Sequence, residues 1–407
     1  MVPNGDAYGS IRDGALAARD GSIAWIGRRE ELPAAPELLA RTVVDAGGRW
    51  ITPGLVDPHT HLIFGGERLR DFERRIAGGS YATASGAEAG IAHTVASTRA
   101  ATDDELYASA RRRLLALAAS GVTTVEIKSG YGLDMETELR MLRVARRLGD
   151  ELQIDVRTTY LGAHVVPPEF AGRREAYLDL VCETVIPRVA SEGLADAVDV
   201  FCDSIAFAPS EANRIFEAAA ALGLPVKMHA DQLSDCVGAA LAARHGALSA
   251  DHLEYASEAG IEALAAAGTV ATVLPGAYYY LHEQRKPPIA SLRKCGVPIA
   301  LASDCNPGTS PIASLTTAMN MACVLFDLSP AEALRGSMRN AARALGLGDR
   351  GELRTGWRCD LALWDVASPA ELCYWLGLPS CAGVVIAGRP FGTGRARSPG
   401  GVRGALA

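Results

Sequence analysis

The sequence lacks the features that mark several classes of protein. Its 40 lysine and arginine residues form no long cluster, so we expect neither nucleic acid nor an anionic membrane surface as a partner. The nine cysteines include no CxxC pair, and no secretory signal opens the chain, so we expect reduced thiols and a cytoplasmic protein. The longest apolar runs, such as residues 296–302, are far shorter than a membrane span.

The chain does contain a regular alternation of apolar runs and helical patterns. With 407 residues, 49% hydrophobic residues and a net charge of −7, it has the composition of a globular protein with a large core. Eight strand-like runs begin at residue 54, and most are followed by a helical pattern: GLVDPHTH, VTTVEIKSGYG, VRTTYLGAH, ADAVDVFCD, LPVKMHADQ, ALSADHLEY, TVATVLPGA and VPIALASDCNPG. This order predicts an α/β fold, a TIM-like (β/α)8 barrel with its chemistry at the carboxyl ends of the strands.

Short β-like pieces flank the predicted barrel on both sides. Those before it lie at residues 15–18, 23–26 and 41–45, and those after the helical stretch 330–347 are GELRTG, CDLALWD and AGVVIAG. We expect the two ends to form one small composite β-sandwich domain rather than two unrelated tails. The predicted boundaries are 1–50 for its N-terminal part, 51–348 for the barrel and 349–407 for its C-terminal part.

The first strand-like run ends in two histidines, His59 and His61, with one residue between them. Residues i and i+2 of a strand point the same way, so both imidazoles can face one point at the mouth of the barrel. An HxH pair alone is weak evidence for a metal site, because such a pair is often only part of a polar turn, so the other strand ends must be considered as well.

Other strand ends carry further metal-ligating side chains. His164, His229 and His252 end three more of the runs, and Asp304 ends the last one. Five of the chain's eight histidines therefore lie at predicted strand ends, where random placement would scatter them. Imidazoles with a carboxylate suit zinc first and iron second, and an open position would hold a water of lowered pKa.

Lys128, at the end of the second run, leaves an alternative open. A carboxylated lysine at that position would bridge two metal ions. The simpler interpretation is an electrostatic lysine beside one ion, with Glu126, two residues earlier on the same side, neutralising it.

Several longer strings resemble the amidohydrolase superfamily and, within it, the imidazolonepropionase family of histidine degradation. They are PHTHLIFGGER, EIKSGYGLDMETELRMLRVAR, YLGAHVVPPEF, KMHADQLS, SADHLEY, LPGAYYYL and SDCNPGTSP. They extend over residues 58–311, which is the whole predicted barrel. The resemblance implies a TIM-like barrel with a β-sandwich from both termini, in agreement with the strand count.

The resemblance also implies an activity, a metal and a ligand set. The expected reaction is the hydrolysis of the cyclic amide 4-imidazolone-5-propanoate to N-formimidoyl-L-glutamate, with one Zn2+ or Fe3+ per chain. His59, His61, His229 and Asp304 would hold the metal. The family further suggests a homodimer.

Transferred position by position, the resemblance implies a pocket for a small substrate with a carboxylate tail. Arg68 would bind that tail in bidentate fashion. Tyr81, Tyr131, His164 and Gln232 would line the substrate site. From the last loop, Asn306, Gly308 and Thr309 would contact the substrate or product. His252, Asp304 and His164 are the candidate catalytic groups, and sequence does not separate His252 from Asp304 as the main acid/base.

Two positions depart from the family pattern. Residue 232 is glutamine where an acidic residue also occurs, so it can orient a substrate but cannot act as a general base. The N-terminal segment is short, and sequence leaves open whether the β-domain has its first strand.

Two other functions compete with this expectation. A different amidohydrolase, such as a heterocycle aminohydrolase (deaminase), would use the same ligands, although Arg68 and Tyr131 favour a carboxylate-bearing substrate. A non-enzymatic scaffold on the same fold would usually lack metal ligands, which this chain keeps.

Overall fold

The computed structural model describes residues 7–78 and 90–392, and it begins with a β-hairpin. The first elements are β1 (Gly14–Arg19), antiparallel to β2 (Ser22–Arg28), a 3-10 turn (Arg29–Glu31), α1 (Pro36–Leu39) and β3 (Trp50–Pro53). The strands predicted at 15–18 and 23–26 are confirmed. The piece predicted at 41–45 is wrong, because Val43 and Val44 are 47% and 67% exposed and pair with no strand in the described part of the chain.

The eight strand-like runs form eight parallel strands in one sheet, in chain order, as predicted. They are β4 (Leu55–Asp57), β5 (Val122–Lys128), β6 (Asp155–Ala163), β7 (Ala197–Cys202), β8 (Val226–Ala230), β9 (Ser249–His252), β10 (Val270–Val273) and β11 (Ile299–Leu301). A parallel bridge between Thr60 and Cys305 brings the two edge strands together. The sheet thus curls into a TIM-like barrel whose carboxyl strand ends share one mouth.

Helices and their connections follow the strands. They are α2 (Leu69–Ile76), α3 (Gly90–Ala100), α4 (Asp103–Ala119), α5 (Met135–Leu152), a 3-10 turn (Pro168–Phe170), α6 (Arg174–Asp179), a π-helical turn (Leu180–Val185), α7 (Ile186–Ser191), α8 (Pro209–Ala221), α9 (Gly238–Arg244), α10 (Glu258–Ala267), α11 (Pro275–Leu281), α12 (Ile289–Lys294) and α13 (Leu315–Phe326).

Local sequence explains how these helices start and which face they bury. Thr102 caps α4 through the backbone N–H of Glu105, and Asp134 caps α5 through that of Thr137. The helical spacing of Leu139, Leu142 and Ala145 predicts a face on the barrel, and all three are buried. None of the helices in the described ranges combines the length and apolarity that a membrane span requires.

The C-terminal part returns to the N-terminal strands. After α14 (Pro330–Gly336) and α15 (Arg339–Ala344) come β12 (Leu361–Trp364), α16 (Glu371–Tyr374), β13 (Cys381–Ile386) and β14 (Arg389–Pro390). Strand β12 lies between β3 and β13 in an antiparallel sheet separate from the barrel. The two ends of the chain therefore share a sheet, as expected of a composite β-domain, while the boundaries at 50 and 348 stay a prediction.

One predicted C-terminal strand is wrong. Residues 351–356 form turns, with Gly351 at a φ of +84°, and Gly356 donates a hydrogen bond to Ile23 of β2 at 2.8 Å. The positive φ interrupts the extended backbone that a strand needs. The segment instead joins the hairpin to the C-terminal sheet around buried Ile23, Cys359 and Leu361.

Candidate metal centre

Three imidazoles converge at the mouth of the barrel. His59 and His61 follow β4, and His229 lies in β8, so two separate strand ends supply them. The Nε2 atom of His61 lies 3.3 Å from that of His59 and 3.4 Å from that of His229. All three side chains are buried. One ligand nitrogen from each lies within 4.8 Å of the other two, which is close enough for one metal ion to bind all three.

Asp304, just after β11, adds a carboxylate to the three nitrogens. Its Oδ1 atom is 3.6 Å from the Nε2 atoms of both His59 and His61. The backbone N–H of Asp304 donates to the His59 carbonyl at 3.0 Å, and its φ of +51° turns the chain at this point. The carboxylate is therefore held against the first strand by the closure of the barrel.

The separations fit a small ion with four protein ligands. Zinc–ligand bonds of about 2.0–2.1 Å at near-tetrahedral angles place neighbouring ligand atoms roughly 3.3–3.4 Å apart, and a catalytic site keeps a further position open for water. The Nε2 separations of 3.3 and 3.4 Å match this value, and the 3.6 Å to Asp304 is close to it. The residues present therefore fit the metal that the sequence predicts.

Burial keeps the imidazoles of His59 and His61 in the form that binds metals. Desolvation, followed by the nearby Lys128 for His59 and the nearby His164 for His61, lowers the pKa of both rings well below the usual value. A neutral ring offers one nitrogen lone pair, whereas a protonated ring offers none. Burial also raises the pKa of Asp304 well above its usual range, an effect that a bound cation would oppose.

Two buried aspartates hold the outer nitrogens of the cluster, and the sequence argument did not identify them. Asp251 Oδ2 lies 2.6 Å from His59 Nδ1, and Asp199 Oδ2 lies 3.1 Å from His229 Nδ1. The acceptor at His59 Nδ1 fixes the tautomer whose Nε2 faces the centre, and Asp199 lies beside the equivalent nitrogen of His229. A signal for them did exist, since each is a charged residue inside a fully buried strand.

Lys128 is bound by carboxylates on the floor of the site. Its Nζ donates to Asp199 at 2.6 Å and lies 2.9 Å from Glu126, so the predicted neutralisation by Glu126 is confirmed. Burial alone would lower the pKa of Lys128, but Asp199, Glu126 and Asp251 together raise it well above its usual range. Lys128 is therefore paired with carboxylates, as the electrostatic interpretation of this lysine expects.

Aromatic and imidazole side chains line one wall beside the cluster. The ring of His164 stacks on His61 at a centroid distance of 5.5 Å, and Tyr131 lies 5.7 Å from His61 and 5.4 Å from His164. His164 Nδ1 is 3.0 Å from the carbonyl of Gly130, and burial followed by the nearby His229 lowers its pKa to about 4. The wall thus presents neutral polar rings next to the candidate metal.

His252 lies on another side of the cluster and is not one of the converging ligands. Its ring centroid is 5.4 Å from His229 and 5.8 Å from His59, and burial lowers its pKa well below the usual value. The φ of His252 is +79°, an unusual conformation for a side-chain-bearing residue and one that occurs often at functional sites.

Arg68 borders the loop after β11. The Arg68 side chain is 5% exposed, its Nε donates to Asp71, and its Nη1 lies 3.5 Å from the hydroxyl of Thr94. A β-carbon at Gly308 would lie only 3.2 Å from Nη1, so the guanidinium borders this loop. The sequence-predicted cation is therefore next to the sequence-predicted loop.

Asn306 organises the loop that it belongs to. Its Oδ1 accepts hydrogen bonds from the backbone N–H groups of Gly308 and Thr309 at 2.9 and 2.7 Å. Its Nδ2 donates to the Asp304 carbonyl at 2.8 Å and to the Thr309 hydroxyl at 2.9 Å. These bonds hold Gly308 and Thr309 near the ligand Asp304.

Two other predicted positions have simpler outcomes. Gln232 is buried in the loop after β8, three residues beyond His229. Tyr81 lies outside the described residues.

Gly130 allows the close approach of His164, and we predict that alanine there destabilises the protein. Its φ is +101°, and a β-carbon would lie 2.9 Å from the Leu161 carbonyl and 3.2 Å from His164 Nδ1. Gly130→Ala should lower the free energy of unfolding by about 2–3 kcal/mol, measured by urea titration. Gly172→Ala, at a φ of +72° with no atom within 4 Å, should cost only about 1 kcal/mol. Equal costs would contradict the steric argument.

Comparison with known proteins agrees with this geometry. The amidohydrolase family profile matches residues 50–391. A protein named imidazolonepropionase from Ralstonia nicotianae is 58% identical over 391 residues, which are 96% of this chain and 95% of that protein. A protein of the same name from Caulobacter vibrioides is 56% identical over 378 residues, covering 93% and 94% of the two chains.

Solved structures of low sequence identity show the same fold. A zinc complex of an atrazine chlorohydrolase mutant from Arthrobacter aurescens superposes with a TM-score of 0.68 at 17% identity, covering 92% of this chain and 89% of that one. An adenosine deaminase with bound zinc from Xanthomonas campestris gives 0.64 at 19% identity, with coverage of 93% and 88%. The barrel, the cluster of three histidines and these relatives together indicate a metal cofactor. The chain belongs to the amidohydrolase family, and its relatives there at 56–58% identity are imidazolonepropionases.

Proposed function

We propose that this protein hydrolyses 4-imidazolone-5-propanoate to N-formimidoyl-L-glutamate in histidine degradation, in the cytoplasm. The observation that carries the proposal is one buried centre of His59, His61, His229 and Asp304, with Arg68 bordering the loop that follows Asp304. The relatives at 56–58% identity, named imidazolonepropionase, support the choice of substrate. The substrate is a small molecule whose carboxylate tail needs the cation and whose cyclic amide needs the metal.

The proposed cofactor is one Zn2+ or Fe3+ per chain, held by the three imidazoles and Asp304. When bound, it would supply Lewis acidity and lower the pKa of a coordinated water towards neutrality. Neutral imidazoles with oriented Nδ1 atoms are the donors that such an ion requires. Lys128, held by three carboxylates, supports one ion rather than two.

The chain's own residues would bind and orient the substrate. Arg68 would bind the propanoate tail, with Gly308 and Thr309 beside it in the loop that Asn306 holds. Tyr131, His164 and Gln232 would supply donors and acceptors to the polar edges of the ring. Neutral His164 or His252 can donate to the oxygen that gains charge when water adds to the ring carbonyl.

The hydrolysis itself requires one water and one proton transfer. The oxygen of water bonds to the carbonyl carbon, the ring C–N bond breaks, and the proton removed from water ends on the departing ring nitrogen. His252 and Asp304 lie beside the centre and can relay this proton. We favour His252 as the acid/base and Asp304 as a ligand that shares in the transfer.

Loss of ultraviolet absorbance of the substrate, combined with metal analysis of the same preparation, tests the proposed function. We expect turnover of 4-imidazolone-5-propanoate and about one metal ion per chain. A panel of purines, pyrimidines and hydantoins tests the second candidate, a heterocycle deaminase. Turnover of any of these without turnover of the imidazolone would overturn the proposal, and a metal-free, inactive protein would indicate a scaffold. Size-exclusion chromatography would test the proposed homodimer.

We predict that Arg68→Ala weakens substrate capture more than chemistry. The guanidinium would lose a charge-assisted interaction with the tail, which corresponds to a KM increase of about 10- to 100-fold with kcat changed much less. Steady-state kinetics with the imidazolone substrate measures both. Arg74→Ala is the matched control, because Arg74 also pairs with Asp71 but is 54% exposed, and it should leave KM unchanged. An unchanged KM in Arg68→Ala would remove Arg68 from the substrate site.

A further inference from the structure

Two lysines are fully buried inside the barrel, beneath the metal centre. Lys128 in β5 and Lys227 in β8 have no exposed surface, and neither do Glu126, Asp199 and Asp251 around them. Buried charges carry a large desolvation cost, and a well-packed apolar core would be at least as stable. Stability alone therefore does not explain why this ionic cluster lies beneath the metal centre.

Lys227 lies next to both the backbone before His59 and the carboxylate beside its ring. Its Nζ donates to the carbonyl of Pro58, the residue before His59, at 2.7 Å. The same Nζ lies 3.9 Å from Asp251 Oδ2, the atom that is 2.6 Å from His59 Nδ1. Lys227 thus contacts the backbone that carries His59 and lies next to the acceptor that orients its ring.

Lys128 has the equivalent relation to His229. Its Nζ donates to Asp199 Oδ2 at 2.6 Å, and that oxygen lies 3.1 Å from His229 Nδ1. The other oxygen of Asp199 accepts from the backbone N–H of His229 at 3.2 Å. The carboxylate that Lys128 holds therefore accepts a hydrogen bond from the backbone of this histidine and lies beside its ring.

Glu126 joins the two lysines. Its Oε1 lies 2.8 Å from Lys227 Nζ and its Oε2 lies 2.9 Å from Lys128 Nζ. The hydroxyl of Thr159 donates to Oε1 at 2.5 Å and fixes the carboxylate between them. A continuous chain of contacts thus runs from His59 through Lys227, Glu126 and Lys128 to His229.

We propose that Lys128, Glu126 and Lys227 are positioning residues of the metal site. They form a buried ionic bridge that holds the imidazoles of His59 and His229 at the separation that one ion requires. The inference rests on the proposed metal-dependent function and assigns a task to residues that touch neither metal nor substrate. Removal of such supporting contacts typically weakens metal affinity by about 10- to 100-fold.

Lys227→Met tests the bridge, because methionine fills a similar volume without the charge. Zn2+ affinity is measured by competition with a chromophoric chelator, and the ligand geometry by the visible spectrum of the Co2+-loaded protein. We expect Zn2+ binding about 10- to 100-fold weaker and a changed Co2+ spectrum. Lys286→Met is the matched control at a lysine that is 49% exposed, and it should change neither quantity.

A second variant covers the case in which Lys227→Met does not fold. Lys227→Met/Glu126→Gln removes one positive and one negative charge together, so the buried charge balance is restored while the contact with Pro58 stays lost. It should fold and still bind Zn2+ at least about 10-fold more weakly, with a changed Co2+ spectrum. If a folded variant of either kind shows the wild-type affinity and spectrum, the bridge does not position the ligands.

The same experiment separates this inference from the proposed function. Wild-type protein that binds Zn2+ and turns over the imidazolone, together with unaffected lysine variants, would overturn the bridge alone. Wild-type protein that binds no metal and has no turnover would overturn the proposed function first, and the bridge with it.

Discussion

Replacing His229 by alanine is expected to remove the metal and the turnover together. His229 lies in a buried strand and brings its Nε2 to 3.4 Å from that of His61, so it supplies one corner of the ligand set. Its loss also deprives Asp199 of a partner in the interior. We expect a metal content below about a tenth of the wild-type value and turnover reduced by about 1,000-fold or more, since the reaction depends on the metal for its nucleophile.

The measurement combines metal analysis after dialysis with the ultraviolet assay on the same samples. His245→Ala is the matched control. His245 lies at the end of α9, and its Nε2 is 3.0 Å from Asn213 Oδ1. It is not one of the proposed ligands. This control should keep both metal and turnover. Metal-free His229→Ala protein that still hydrolyses the imidazolone would be incompatible with the proposed mechanism.

The barrel could be predicted from sequence because its strands are buried on both faces. Such strands are near-continuous apolar runs, separated by helices with an apolar face, and these two patterns are readable without any partner. All eight predicted strands are present, and the strand ends that carry His59, His229 and Asp304 meet at one mouth. Parallel topology places these ends on one edge of the sheet, and closure into a barrel of eight strands brings β4, β8 and β11 around one mouth.

The flanking strands were harder to predict from sequence, because their conformation depends on which segments lie next to them. Residues 41–45 have the β-branched residues of a strand, yet no strand in the described part of the chain lies beside them. β-propensity describes how well a side chain fits a half-buried sheet surface, and an isolated segment has no such surface. The hairpin at 14–28 was predicted correctly, because its two strands pair with each other.

The residues that orient the ligands were missed for a different reason. Asp199 and Asp251 reach His229 and His59 from other strands, and the contact depends on the register and on which face of each strand points inward. Lys227 carried a usable signal, since it lies two residues before His229 and shares its face. A charged residue at such a position in a buried strand indicates a partner but does not name it.

The role of Asn306 shows the same limit at a loop. The resemblance implies a contact with the substrate, and this stays a prediction. The structure shows that both polar groups of its side chain bond within the loop, to Asp304, Gly308 and Thr309. Loop hydrogen bonds of this kind follow from backbone conformation, which a motif match does not reveal.

His252→Ala is expected to lower kcat by about 100- to 10,000-fold while the metal stays bound. The range is that of a general acid or base, and the ring lies 5.4 Å from His229 without joining the converging Nε2 atoms. Burial keeps this imidazole neutral near neutral pH, so it can accept a proton from water and deliver it to the departing nitrogen. Steady-state kinetics and metal analysis of one preparation measure both quantities.

This combination separates the proton relay from metal binding. His229→Ala should lose metal and rate together, whereas His252→Ala should lose rate alone. If His252→Ala keeps the metal and a rate close to wild type, Asp304 would be the group that transfers the proton. Its Oδ1 is 3.6 Å from the Nε2 atoms of His59 and His61 and is the other acceptor beside the centre. Loss of metal from His252→Ala would instead make His252 part of the ligand set, although His252 does not belong to the converging group of His59, His61 and His229. Retained metal with a lowered rate assigns the acid/base step to His252, and retained metal with an unchanged rate assigns it to Asp304.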